Sequence, residues 1–321
     1  MARRRKGRPV TGILVLDKPV GPSSNQALQR VRHLFGAAKG GHTGNLDPLA
    51  SGVLPICLGE ATKLSQFLLD SDKAYEAQVT FGVSTATGDS EGEVLAQKNA
   101  AHLLQENVSA ALAQFVGDIQ QTPPMYSALK VDGQPLYKLA RQGKEVERKP
   151  RPVTIRSATL NHFSPGEAAT ADIDVVCSKG TYIRTLSEDL ATSLELPGHM
   201  SALRRTATGP FDLGQAVTLE TLIAVAETEG EGALDQFLID PELAVDHLAR
   251  VEVSHSAAFY LKQGQAVLVR NAPLSAVDPS HDSTSKEPPF PEANKIIVDD
   301  DVIGHPASIA YPDCLSKLAE Q

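Results

Sequence analysis

Lys73–Thr85 reads KAYEAQVTFGVST, and its alternation decides the fold. Tyr75, Ala77, Val79 and Phe81 fall on one face; Glu76, Gln78 and Thr80 fall on the other. A period of two with one apolar face predicts a strand half-buried in an antiparallel sheet. After it, TGDSEG (87–92) is a polar turn and EVLAQ (93–97) a returning strand. VTIRSATLNHF (153–163) and ADIDVVCSKG (171–180) add two more strands, and GILVLDKPVGPSS (12–24) opens the chain with a strand ending in a Pro/Gly turn.

Helices are inserted between these strands. SSNQALQRVRHLFG (23–36) carries an apolar stripe of Leu28, Val31, Leu34 and Phe35, with Ser24 as the expected N-cap and Gly36 as the stop. EATKLSQFLLD (60–70), residues 101–117 and TYIRTLSEDLATSLEL (181–196) show the same period. Consecutive strands with inserted helices predict an α+β domain on a mixed, mainly antiparallel sheet flanked by helices, not a doubly wound one. The expected division is a basic N-terminal arm over 1–10, a catalytic domain over 11–250 and a small β module over 251–321. In that module FYLKQGQAVLV (259–269) reads as a strand, and 271–294 as a polar, proline-rich loop.

The totals narrow the classes. No apolar run among the 321 residues is long enough for a membrane helix, and the apolar patch after the basic start is broken by Asp17 and Lys18, too soon for a signal peptide. The chain is read as cytoplasmic. Cys57, Cys177 and Cys314 are far apart and form no CxxC pair, which argues against a disulfide framework; the nine histidines form no metal-ligand spacing. No glycine-rich phosphate loop is present. The net charge of −9 is uneven. Residues 1–150 carry 18 Lys+Arg against 14 Asp+Glu, and the rest 12 against 25. The first half could hold an RNA-facing surface, while on charge alone so modest an asymmetry is also what chance gives.

GGHTGNLDPLASGVLPICLGEATK (40–63) sets one acid, Asp47, between a glycine-rich turn and a proline. Pro48 restricts Asp47 to extended backbone. Taken alone, Asp-Pro is ordinary turn chemistry; a carboxylate so restrained also suits a nucleophile or base. His42 sits on the same loop. Tyr75 lies on the apolar face of its strand, where it is either a core aromatic or a phenol at a dry pocket. Arg184 stands in the first turn of a helix, where the dipole disfavours a cation, so it is either paired with a carboxylate in a cleft or an exposed surface arginine; Lys179 is similar but weaker. Lys130, Lys138, Arg141 and Lys144, with Tyr137 among them, combine cations and rings that suit RNA backbone and unstacked bases, or else form a solvated charged face.

GHTGNLDPLASGVLPICLGEATK (41–63), YSALKVDGQPLYKLARQG (126–143) and CSKGTYIRTL (177–186) resemble, in order and spacing, three motifs of the TruB-type tRNA pseudouridine-55 synthases, and GILVLDKPVGPSSNQAL (12–28) resembles the family's opening strand. The resemblance covers residues 10–215. It implies a pseudouridine-synthase fold with a C-terminal PUA-like β module, and isomerisation of one T-loop uridine of tRNA without cofactor or metal. It implies that Asp47 is the catalytic aspartate, Tyr75 the tyrosine against the base and the acceptor of the C5 proton, and Arg184 the partner of the aspartate. His42 takes up space left by the flipped nucleotide. Lys179 and Leu203 match further pocket positions. Lys63, Lys130, Tyr137, Arg141 and Tyr182, inside the same motifs, fall on the RNA side. tRNA is the expected partner, with no membrane, and a monomer the expected state. Two other classes are open to the residues alone: a non-catalytic tRNA-binding or folding-assistance protein, and a glycosidic hydrolase, which for O-glycosides needs two carboxylates.

Overall fold

In a computed structural model, residues 7–131, 133–248, 250–265 and 295–298 are described. Ten strands form one sheet: β1 (Gly12–Lys18), β2 (Gly40–His42), β3 (Ser51–Leu58), β4 (Lys73–Phe81) and, after a separate hairpin of β5 (Val83–Thr85) with β6 (Val94–Gln97), β7 (Gly117–Gln121). A two-stranded turn of β8 (Lys130–Val131) with β9 (Gln134–Pro135) follows, then β10 (Arg151–Ser164), β11 (Thr170–Cys177), β12 (Gly198–Thr208), β13 (Phe211–Asp212) and β14 (Val217–Thr218). The order is β14-β1-β3-β12-β4-β11-β10-β7, with β2 on β3 and β13 on β12. Only β1–β14 and β3–β12 are parallel pairs; β1–β3, β12–β4, β4–β11, β11–β10 and β10–β7 are antiparallel. The expected mixed, mainly antiparallel sheet is present.

Helices α1 (Ser24–Leu34), α2 (Ser65–Leu69), α3 (Gln105–Ala113), α4 (Leu136–Ala140), α5 (Ile183–Ser193) and α6 (Leu219–Glu229) flank it. The cap of α1 is Ser23, one residue before the expected Ser24. Its hydroxyl receives the Gln26 N–H and the Gln26 side chain receives the Ser23 N–H, a capping box. Ser24 is instead buried and serves the Asp47 loop. The helices divide the core in two. Val31, Leu28 and Phe35 pack with Leu14, Leu54 and Leu222 in one cluster; Leu186 and Leu190 of α5 and Leu112 of α3 pack with Val79, Phe81 and Ile173 in the other. Tyr75 and Leu203 pack against both clusters, so the junction of the two cores lies along β4 and β12.

Two strands at that junction are not legible from periodicity. β3 is SGVLPICL, with a proline inside it. Pro55 is tolerated because its missing N–H falls where β2 pairing stops, at His42–Ile56, and before β12 pairing starts, at Gly52–Arg205; its carbonyl still accepts from Thr43 N–H at 3.1 Å. β12 contains MSALRRTAT, too polar to read as a central strand.

Gly52 adopts φ +99°, and a Cβ there would lie 2.2 Å from the Arg205 carbonyl oxygen. Gly52→Ala is therefore expected to cost at least about 2 kcal/mol, through strain and a backbone clash. Urea denaturation measures it; an unchanged midpoint would show that β3 and β12 can separate without penalty.

The chain divides into two compact units between Pro241 and Glu242. In the second, β15 (Arg250–Val253) pairs in parallel with β16 (Lys295–Val298). Residues 259–262, expected in a strand, are in helix α7 (His255–Lys262), because Ser254 caps it by accepting from Ala257 N–H. The loop expected at 271–294 lies outside the described residues.

Candidate active site

The segment between β2 and β3 is fixed at nearly every residue. Thr43 N–H donates to Pro55. Ser24, buried at the start of α1, holds Leu46 twice: its hydroxyl donates to the Leu46 carbonyl at 2.9 Å and accepts the Leu46 N–H at 2.7 Å. Gly21 N–H donates to the Pro48 carbonyl at 2.8 Å, and Ala50 N–H closes a turn onto the Asp47 carbonyl at 3.0 Å, with Pro48 in the position it favours. Lys18 Nζ donates to the Ala50 carbonyl at 2.6 Å. A carboxylate on such a loop is pre-oriented without help from substrate.

The Asp47 side chain retains 32% exposure and its Oδ2 lies 3.0 Å from Arg184 Nη2, whose side chain is only 6% exposed. Arg184 Nη1 faces Asp89 Oδ2 at 3.7 Å, and the same guanidinium donates to the carbonyls of Thr87 (2.9 Å) and Tyr126 (2.7 Å). Thus Arg184 binds together the Asp47 loop, the TGDSEG turn and the beginning of the basic segment. Its helix is aimed by Gln121, whose side chain accepts from Tyr182 N–H and donates to the Tyr182 carbonyl, at 2.7 and 3.0 Å. Burial raises the Asp47 carboxyl above its ordinary value, and Asp89 adds to this; Arg184 and, more weakly, Lys18 oppose it. Burial also brings Lys18 down to about 8.

Tyr75 stands on β4 opposite Arg205 of β12. Burial raises its phenol above the ordinary value, while the Arg205 charge opposes the rise. His42 is pushed below its ordinary value by burial and then by Arg205, so its ring is neutral at pH 7; its Nδ1 is buried without a hydrogen-bond partner among the described residues. Tyr182 is half-buried, and burial raises its phenol above the ordinary value.

The structure thus brings Arg184, Tyr75 and Tyr182 each within electrostatic reach of Asp47, with Leu203 at the junction of the cores. The other residues singled out in the sequence stand elsewhere. Lys179 pairs with Asp70 at 2.8 Å and Lys63 with Glu60 at 2.6 Å, all largely exposed. Lys130 is exposed, and Arg141 lies over the Tyr137 ring at 5.6 Å. No group of acids, histidines and cysteines able to hold a metal occurs among the described residues.

Three buried charged groups at the site escape sequence reading. Lys18 ends a strand that is apolar up to Leu16, Asp89 hides in a polar turn, and Arg205 is the second of two arginines in a strand without alternation. The signal available was a cation at an inward strand position, as Lys18 is in GILVLDK.

Two family models match the chain: "TruB family pseudouridylate synthase (N terminal domain)" over residues 32–183 and "tRNA pseudouridylate synthase B C-terminal domain" over 184–246. The tRNA pseudouridine synthase B of Saccharophagus degradans is 54% identical over 266 residues, covering 83% of this chain and 85% of that protein. The protein of the same name from Pseudomonas aeruginosa is 54% identical over 270 residues, covering 84% and 88%. Among solved structures, a Cbf5-Nop10-Gar1 complex aligns with a TM-score of 0.62 at 28% identity, covering 79% of this chain and 67% of that one.

Proposed function

The chain belongs to the TruB family of pseudouridylate synthases and isomerises uridine to pseudouridine in tRNA; from that premise we propose that its target is the T-loop uridine at position 55 and that Asp47 is the catalytic carboxylate. The observation that carries the reading is the Asp47–Arg184 pair at 3.0 Å, on a loop held by the hydrogen bonds described above. The reaction breaks the bond from N1 to C1′, turns the uracil and joins C5 to C1′. The proton lost from C5 equals the proton gained at N1, so atoms balance without an external group. Attack on C1′ and removal of the C2′ proton make the same demand: an ionised carboxylate at the ribose. Arg184 keeps Asp47 ionised against its burial, and the neutral His42 fills space beside the flipped nucleotide. A loop nucleotide costs less to extrude than a paired one.

Tyr75 accepts the C5 proton at the base face, and Leu203 and Tyr182 line the same pocket. Lys130, Tyr137 and Arg141 sit on the segment whose Tyr126 carbonyl touches Arg184, which brings the basic, aromatic stretch against the RNA. Lys63 and Lys179 contact phosphates at its margin, Lys179 exchanging Asp70 for RNA. The catalytic domain spans residues 11–250, and residues 251–321 form a PUA-like module. The enzyme acts as a monomer in the cytoplasm. Tritium release from C5-tritiated uridine in an unmodified tRNA transcript tests the reading. One equivalent from the T-loop is expected; release spread over several loops would contradict the site assignment.

The acid limb of the rate follows from the Asp47 environment. A carboxyl raised by burial takes up its proton at a higher pH than a free one, so activity falls as pH drops through a value above the ordinary 3.8. Single-turnover rates between pH 4 and 8 measure it, and a limb at or below the free value would contradict the claim that Asp47 must be ionised.

A further inference from the structure

Arg205 is among the largest fully buried side chains, with 1% exposure, and makes no ion pair among the described residues. Its partners are neutral. Nε donates to the Val53 carbonyl at 2.7 Å and Nη2 to the Gly44 carbonyl at 3.3 Å, and Tyr75 is its cross-strand neighbour on β4, whose phenol its charge holds down against burial. Burying an arginine without a carboxylate is costly, and such costs gather where function requires them. Its neighbour makes the contrast. Arg204 points to the opposite face of β12 and forms a forked pair with Asp17 at 3.1 and 2.8 Å. A bulge follows Arg205, between it and Ala207, the kind of irregularity that re-aims a side chain beside a site.

What Arg205 touches is specific. Gly44 and Gly52 flank Asp47, three residues before it and five after. Gly44 adopts φ +75°, and a Cβ there would lie 3.1 Å from Arg205 Nη1; Gly52 packs on the Arg205 backbone. Side chain and main chain of one residue thus hold both roots of the Asp47 loop, while the same residue faces Tyr75 across the strand pair Arg205–Tyr75.

We propose that Arg205 is the positioning residue of this site: from the buried side of the sheet it holds the Asp47 loop and the Tyr75 phenol in one register. An arginine N–H donated to the phenol oxygen leaves the phenol proton free to face the base. It also stabilises that oxygen when its proton passes to N1, and the proton leaving C5 then restores the phenol. The inference rests on Asp47 and Tyr75 being the reacting groups.

The test uses the full chain and unmodified tRNA transcript, with single-turnover rate and tRNA affinity measured for Arg205→Lys, Arg205→Met, Tyr75→Phe and the double variant Tyr75→Phe/Arg205→Met. Arg204→Met is the matched control, expected within about threefold of wild type because its pair is on the outer face. Arg205→Lys cannot make the fork and is expected to lose about 10²-fold in rate with affinity within about threefold, the scale of a misplaced reacting group. The double variant is expected to be no slower than its slower single. Losses that multiply in the double variant, or a wild-type rate for Arg205→Lys, would overturn the proposal. If Arg205→Met does not fold, Arg205→Lys takes its place in the cycle. A wild-type rate for Tyr75→Phe would overturn the Tyr75 assignment instead, and is read from a protein in which Arg205 is intact.

Discussion

Asp47→Asn is expected to reduce the single-turnover rate by on the order of 10⁴-fold or more, because no other carboxylate among the described residues replaces it on that loop. Stability is expected to change by no more than about 1 kcal/mol, the scale of one hydrogen bond. Burial raises the Asp47 carboxyl, so its ionised form is a cost to the fold above that raised pKa, and a neutral amide removes the cost. Arg184 keeps Asp89 and the carbonyls of Thr87 and Tyr126 as partners. Affinity for tRNA is expected within about threefold, since the exposed cations of the 130–151 segment, proposed above to meet the RNA, are unchanged. Rate, urea midpoint and affinity measured on one preparation separate loss of chemistry from loss of fold; turnover within tenfold of wild type would end the assignment.

Arg184→Met is expected to damage both fold and chemistry. Removing the guanidinium leaves Asp47 and Asp89 facing each other in a site where Arg184 is 6% and Asp89 5% exposed, and it strands two carbonyl acceptors. Breaking a buried pair in this way costs about 3–5 kcal/mol. The remaining activity should fall at least about 10²-fold, and its acid limb should move to higher pH, because Arg184 opposes the burial of Asp47. Arg184→Lys keeps the charge but not the fork, and should fall between the two. Denaturation together with the pH profile checks both halves. A stable Arg184→Met variant with an unshifted limb would mean that Asp47 does not depend on Arg184.

The sequence made legible what is local. The alternation of β4 and the apolar stripes of α1 and α5 sit in unbroken runs, and all three elements form, β4 stopping at Phe81 short of the expected Thr85 and α1 capped by Ser23 instead of Ser24. β3 and β12, at the centre of the sheet, were hidden by Pro55 and by paired arginines. Both tolerate those residues only because of neighbours far along the chain: β2 ends beside Pro55, and Val53 and Gly44 receive Arg205. The FYLK stretch reads equally as strand or helix, and a single cap at Ser254 tips it to helix.

The site divides the same way. Asp47 stands out through Asp-Pro between glycines. Arg184 stands out because a cation in a first helical turn needs a partner, and it has one. Asp89 and Arg205 gave no local signal and Lys18 only its inward strand position, since each is defined by what it meets across 30 residues or more: Lys18 by Ala50, Asp89 by Arg184, Arg205 by Gly44. Lys179 and Lys63 were marked by motif, yet their present partners are Asp70 and Glu60.

The most direct measurement maps pseudouridine at single-nucleotide resolution, by a base-specific adduct and primer extension, in an unmodified tRNA transcript treated with wild type or Asp47→Asn. The account predicts one stop, at the T-loop uridine, with wild type and none with the variant. A stop that persists with Asp47→Asn, or one outside the T-loop, would contradict it.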